Sequence, residues 1–193
     1  MANTLTIPAP AGLTPGDVMI AGITVGGNPT ITPPSGWTLI RLDATSEFDL
    51  RQAMFWKVVG SEPSSYTFTF SQNQAAAGGI QAYAGVDTAN PINAHGGKVD
   101  NFGRTTAIIA PSVTTTVNNA MLVGVYGISR NTTITPPSGM TERWDLASTA
   151  GPFFATSEGC NQLQATAGAT GTKSATAAVV GPNIGQLIAL KPT

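Results

Sequence analysis

The sequence predicts an all-β protein: a jelly-roll-like β-sandwich of two antiparallel sheets with an internal duplication. Three observations carry that expectation. The 193 residues are 41% hydrophobic yet only 10% charged, with 22 Gly and 14 Pro. Such a composition suits short apolar strands separated by tight turns. Period-2 alternation is plain at Tyr66-Thr-Phe-Thr-Phe70, with three aromatics on one side and Thr67 and Thr69 on the other. Finally, Asn28-Pro-Thr-Ile-Thr-Pro-Pro-Ser-Gly-Trp-Thr38 returns as Asn131-Thr-Thr-Ile-Thr-Pro-Pro-Ser-Gly-Met-Thr141, identical at nine of eleven positions. Two such copies in a chain of this length point to one duplicated fold.

Taken in order, residues 1–12 read as an extended arm stiffened by Ile7-Pro-Ala-Pro10, suited to reaching a neighbouring subunit. Residues 13–193 form a single sandwich domain with pseudo-repeats at about 13–92 and 111–193. Thr14-Pro-Gly-Asp17 has the Pro and Gly positions of a reverse turn. The runs 18–25 and 121–128 are apolar on both faces, as central strands covered on both sides should be. Gly22 and Gly124 are expected at corresponding places in the two copies, marking bulges or close sheet packing. Pro33-Pro-Ser-Gly36 and Pro136-Pro-Ser-Gly139 lack two consecutive backbone donors and are expected to be rigid corners. Further strands are expected at 37–42, 52–59, 79–85, 105–110, 112–117, 161–166, 174–180 and 185–190. Trp37, Phe55, Trp56, Tyr66, Phe68 and Phe70 load the core into the first half. The small residues of 165–178 suggest a thinner second sheet able to lie against a partner.

The composition also bounds the chemistry. Net charge is −1 and the nine basic residues are scattered, so no stripe suits a nucleic-acid backbone. No run of about 18 apolar residues suggests a membrane span, and the N-terminus does not resemble a signal peptide. Cys160 is alone, which excludes an internal disulfide, and reads as a small buried residue. His95, the only histidine, falls in Asn93-Ala-His-Gly-Gly-Lys98, which reads as a glycine-containing loop. Asp43, Glu47 and Asp49 gather between two expected strands, where an exposed connection explains them more simply than calcium or a glycosidase pair. Asp87 and Asp100 suit local Asx turns. Trp37 and Trp144 follow the repeated corner; stacking on sugars is one reading and core packing the simpler one. No catalytic, cofactor-binding or metal-ligating set emerges.

The ordered pattern Leu13-Thr-Pro-Gly-Asp-Val18, Thr32-Pro-Pro-Ser-Gly-Trp-Thr-Leu39, Phe55-Trp-Lys-Val58, Tyr66-Thr-Phe68, Tyr83-Ala-Gly-Val-Asp87 and Asn90-Pro-Ile92, closing on Ile188-Ala-Leu-Lys-Pro192, resembles β-sandwich domains of tailed-bacteriophage virion proteins. Similar domains are appended to bacterial surface proteins. The resemblance implies a non-enzymatic capsid decoration (cement) protein, synthesised in the host cytoplasm and carried on the virion capsid surface as a homotrimer bound to the major capsid protein. No cofactor, nucleic-acid or membrane partner is expected. The alternative is a head or tail fibre or a carbohydrate-binding adhesion module with a glycan partner. Ile7, Pro8, Pro10, Trp37 and Trp144 are the candidate partner-binding residues.

Overall fold

The computed structural model describes residues 2–47, 49–148 and 154–193. Seven strands build the first unit: β1 (Ala2–Pro8), β2 (Val18–Gly26), β3 (Ile31–Thr32), β4 (Thr38–Ala44), β5 (Leu50–Val58), β6 (Ser65–Gln74) and β7 (Ala76–Tyr83). β8 (Ile92–Asp100) crosses to the second unit, which continues with β9 (Ala107–Ala110), β10 (Thr114–Thr115), β11 (Ala120–Ile128), β12 (Ile134–Thr135), β13 (Thr141–Ala147), β14 (Thr156–Gln164), β15 (Gly168–Ala169), β16 (Lys173–Ala177) and β17 (Asn183–Leu190). The described residues are all-β and every pairing is antiparallel.

The duplication goes deeper than a shared two-sheet body. The larger sheet of the first unit has the order β4-β5-β2-β7, and the second unit repeats it as β13-β14-β11-β17 with β8 added beside β17. The smaller sheets, β1-β6-β3 and β9-β16-β12, match in the same way. Each unit therefore closes its own sandwich, and the two larger sheets then pack face to face. Three apolar layers separate the four sheet layers. The first holds Ile7, Met19, Ile23, Trp37, Phe55, Tyr66 and Phe68. The second holds Ile108, Leu122, Tyr126, Ile134, Cys160 and Leu187. Between the units lie Val18, Ile20, Met54, Tyr83, Val123, Val125, Trp144, Ile188 and Leu190.

This stacking explains why β2 is buried at all nine positions. Met19, Ala21, Ile23 and Val25 point into the first sandwich, while Val18 and Ile20 point at the second unit. A strand with period 2 and protein on both sides has no face left toward solvent. The repeated corners behave as their sequence requires. Trp37 N–H donates to Pro34 O and Met140 N–H to Pro137 O, with Gly36 at φ 86° and Gly139 at φ 80°. Glycine is needed there because the turn places its third residue in left-handed space.

Four expectations are corrected. Residues 2–8 are extended, but they are paired in their own chain, with Leu5 beside Phe68 and Ile7 beside Tyr66. Ile7 is buried in the first core, so the segment is an edge strand and not a free arm. The repeat is thus wider than 13–92 and 111–193, since β1 and β9 hold equivalent edges. The stretch around His95 is a strand, β8; its two glycines let the backbone approach Pro111 and Val113 at Gly96 and the Arg41–Asp43 pair at Gly97. Gly22 and Gly124 do not correspond. Val18 pairs with Val58 and Tyr83 as Met121 pairs with Leu163 and Leu190, so counting along the strands matches Gly22 to Val125.

Those two matched residues face each other. A Cβ on Gly22 would lie 2.7 and 2.9 Å from the Val125 methyls and 3.2 Å from the Trp144 ring. One step on, the matched pair Thr24 and Gly127 repeats the arrangement with the large residue in the other copy. The Trp144 ring lies flush against Gly79 and Gly159 as well. Identical halves could not pack this closely; a hole on one sheet must meet a knob on the other. Gly22→Ala is expected to cost about 1–3 kcal/mol by overpacking. Val125→Ala in that background should return part of the loss, with a coupling of about 1 kcal/mol in a double-mutant cycle by urea denaturation. Additive effects would show that the two residues do not oppose one another.

Candidate functional site

Most polar groups singled out in the sequence hold the fold together. Asp43 lies on β4 and grips Arg41, with Oδ2 accepting from Nε at 2.5 Å and Oδ1 from Nη2 at 2.8 Å. Gln186 of β17 donates its side-chain amide to Asp43 Oδ2 at 2.8 Å. Gln52, fully buried, donates to Val125 O at 3.0 Å and accepts from Thr24 Oγ1 at 3.1 Å. These groups tie β2, β4 and β5 to β11 and β17 across the central layer. Removing one partner would strand a buried polar group, at about 1–3 kcal/mol. Sequence reading missed Gln52 and Gln186 because an isolated glutamine inside an apolar run gives no spacing signal.

Asp87 accepts from the Ala89 and Asn90 amides and pairs with Lys191 at 2.7 Å. The Lys191 hydrogen bond, then those amides, hold its carboxyl below the usual range. Asp100 accepts from the amides of Phe102 and Gly103. Both are Asx turns. Glu62 accepts from Lys57 Nζ, the Tyr66 hydroxyl and the Gly60 amide. Burial raises its carboxyl, and these donors together outweigh that and leave it lowered. No group of three or more His, Cys, Asp or Glu side chains able to hold a metal occurs among the described residues.

The candidate partner-binding residues divide. Trp37 is packed edge-on against Tyr66 with ring centroids 5.1 Å apart. Trp144 is enclosed between the units and donates Nε1–H to Ser157 Oγ at 3.2 Å. Neither presents a face on which a sugar could stack. Ile7 is buried, Pro10 half-buried and Pro8 exposed, and the structure does not bring the five together. The large apolar side chains that do reach solvent are elsewhere: Phe102, Leu163, Leu39, Leu146, Val180 and Val179 foremost.

A cleft of about 450 Å³ opens at the lower end of the seam between the two units. Its polar lining is Gln81 and Tyr83 of β7, Asn119, Arg143 of β13 and Asn161 of β14; Val86, Met121, Leu163, Leu190 and Pro192 supply the apolar wall. Asn161 organises the polar side. Its Oδ1 accepts from Arg143 Nε at 3.2 Å and its Nδ2 donates to the Tyr83 hydroxyl at 3.3 Å. Burial pushes the Tyr83 hydroxyl up to about 12, against the opposing pull of Asn161 and Arg143, so it keeps its proton and can donate it. Arg143 is exposed and has no carboxylate partner among the described residues. Asn119 sits at φ 57° where the matched residue of the first unit is Gly16 at φ 95°; asparagine tolerates that left-handed conformation and adds an amide at the rim. The volume falls in the range of small-ligand and peptide sites.

A second unassigned group lies in the core of the second unit. Glu158 of β14 is fully buried, and neither carboxylate oxygen has a hydrogen-bond partner among the described residues. Burial first, then Glu142 and Asp145, raise it to about 9. It is therefore neutral at pH 7, and the same burial, with Glu158 beside it, pushes the Cys160 thiol up and leaves it unreactive. Comparison with protein-family models, with curated proteins and with solved structures returns no match.

The sign of the Glu158 effect follows from linkage. Between the ordinary carboxylate value and about 9 the unfolded chain has released this proton and the folded chain has not. Stability from this group therefore falls as pH rises through that window, by up to about 1.4 kcal/mol per pH unit. Urea midpoints measured from pH 5.5 to 8.5 should decline, and Glu158→Gln should flatten the decline. An unchanged slope in the variant would show that Glu158 is ionised in the fold.

Proposed function

We propose that this chain is a structural virion protein that decorates the major capsid lattice and acts as a non-enzymatic cement. One observation supports the reading most directly: the acidic residues of the turns and seam are structural, and the one histidine is peripheral. Asp43, Asp87, Asp100 and Glu62 each hold a strand, turn or seam, and His95 stands exposed on the edge strand β8. What the outside offers is area, a weakly charged and hydroxyl-rich surface with single large apolar side chains. A stiff body of this kind binds by shape, and symmetric repetition on a shell turns weak individual contacts into firm attachment. The resemblance to phage virion sandwiches points the same way. A sugar-stacking adhesion module is less well supported, because Trp37 and Trp144 are enclosed.

Quantitative mass spectrometry of particles purified from the source culture tests this reading. A cement role predicts copies in the hundreds per particle, and stripped particles that regain thermal resistance when the protein is added back. A handful of copies per particle, or none, would contradict it.

A further inference from the structure

The duplication provides an internal comparison for the cleft. Counting along the paired strands, Tyr83 corresponds to Leu190, Asn161 to Trp56 and Leu163 to Val58. Both edge strands carry a bulge at the same point, which matches Arg143 to Ile40. In the other copy the equivalent place is filled by the chain itself. Ile92, the first residue of β8, pairs beside Leu190 and is packed, as Ile40, Trp56 and Val58 are, against the apolar layer between the units. Beside Tyr83 there is no such strand: β7 pairs with β2 alone among the described residues, and the place is open. Leu163 is accordingly 55% exposed where its counterpart Val58 is half-buried. The two linings have also diverged in kind. Ile40, Trp56 and Leu190 are apolar and pack in or against the central layer, whereas Arg143, Asn161 and Tyr83 form a hydrogen-bonded polar row.

We propose that the cleft binds a short extended peptide segment of a partner protein, antiparallel to β7 at Gln81–Tyr83, with a carboxylate held by Arg143 and Tyr83. The backbone part follows from the filled copy, where Ile92 and Ala94 run beside β17 in that manner. The apolar wall of Val86, Met121, Leu163 and Leu190 takes one aliphatic side chain, at the place where the filled copy sets Ile92 beside Leu190 and against the central layer. The carboxylate follows from the polar row: Asn161 fixes the Arg143 guanidinium through Nε and leaves both terminal nitrogens for a bidentate anion. The same amide donates to the Tyr83 oxygen, so that hydroxyl's proton is available to an acceptor in the cleft. The segment is short because the cleft reaches along β7 only from Gln81 to Tyr83. Nothing in this site depends on the virion reading; it specifies what a partner must present, whatever particle or surface that partner belongs to.

The test is an NMR titration of the ¹⁵N-labelled full chain with four probes. They are the acetylated tripeptide amide Ile-Asn-Ala, taken from the start of β8, its Ile-Asp-Ala analogue, Ile-Asn-Ala with a free C-terminal carboxylate, and glucuronate. At least one carboxylate-bearing tripeptide should shift the amides of Gln81–Val86 and Asn161 and bind about tenfold more tightly than the neutral one. Arg143→Gln, at an exposed position, should remove that advantage while leaving core resonances in place. Leu163→Asp should weaken the charged peptides by a similar factor through repulsion. Equal binding of charged and neutral peptides, no shift in the cleft, or tighter binding of glucuronate than of either acidic peptide would overturn the proposal.

Discussion

The molecule depends on the contact between its two larger sheets. Each unit by itself is a sandwich whose larger sheet still has one apolar face uncovered, and only the other unit covers it. That requirement fixes β2 and β11 as strands buried on both sides, and it forces the matched positions apart in size. Gly22 must be small where Val125 is large, and Gly127 where Thr24 is large. A duplicated sequence that stayed identical would place knob against knob or hole against hole. Divergence at these positions is therefore a packing condition of the fused fold.

The central layer is not uniformly apolar. Along one side run Arg41, Asp43, Gln52 and Gln186, bonded to one another and to backbone across the units. Along the other run Arg143, Asn161 and Tyr83, bonded to one another and open to the cleft. The difference between these two sides comes from β8. Where β8 lies, its Gly97 backbone accepts from Arg41 and its glycines leave no gap. Where no strand lies, a cleft remains with its polar row facing outward. Apolar burial gives the layer its strength, and directional bonds give the units a single registration, since sliding by one residue would break every one of them.

Much of the fold was legible because it rests on local rules. The repeated Pro-Pro-Ser-Gly corners, the aromatic alternation of β6, the both-faced apolar runs, the Asx turns at Asp87 and Asp100 and the burial of Cys160 all follow from backbone or periodicity demands read over a few residues. The misreadings share one cause: partners distant in sequence. β8 looks like a loop until Arg41 and Asp43 are seen to need glycines beneath them. Residues 2–8 look like a free arm because nothing local announces β6 as their partner. The candidate site was illegible for the same reason. Tyr83, Asn119, Arg143 and Asn161 come from four separate segments that meet only once both units are packed.

If the sheet-to-sheet layer is what makes the two sandwiches one body, they must unfold together. Single-tryptophan variants provide the direct measurement. One keeps Trp37 in the first core, another keeps Trp144 between the units, and each is followed by fluorescence in urea. Within each variant, fluorescence and far-UV circular dichroism should give one superimposable transition, because the whole body unfolds at once. Circular dichroism falling in two steps, with the Trp144 signal following one and the Trp37 signal the other, would show that the sandwiches are separable domains and that the layer between them is only a loose contact.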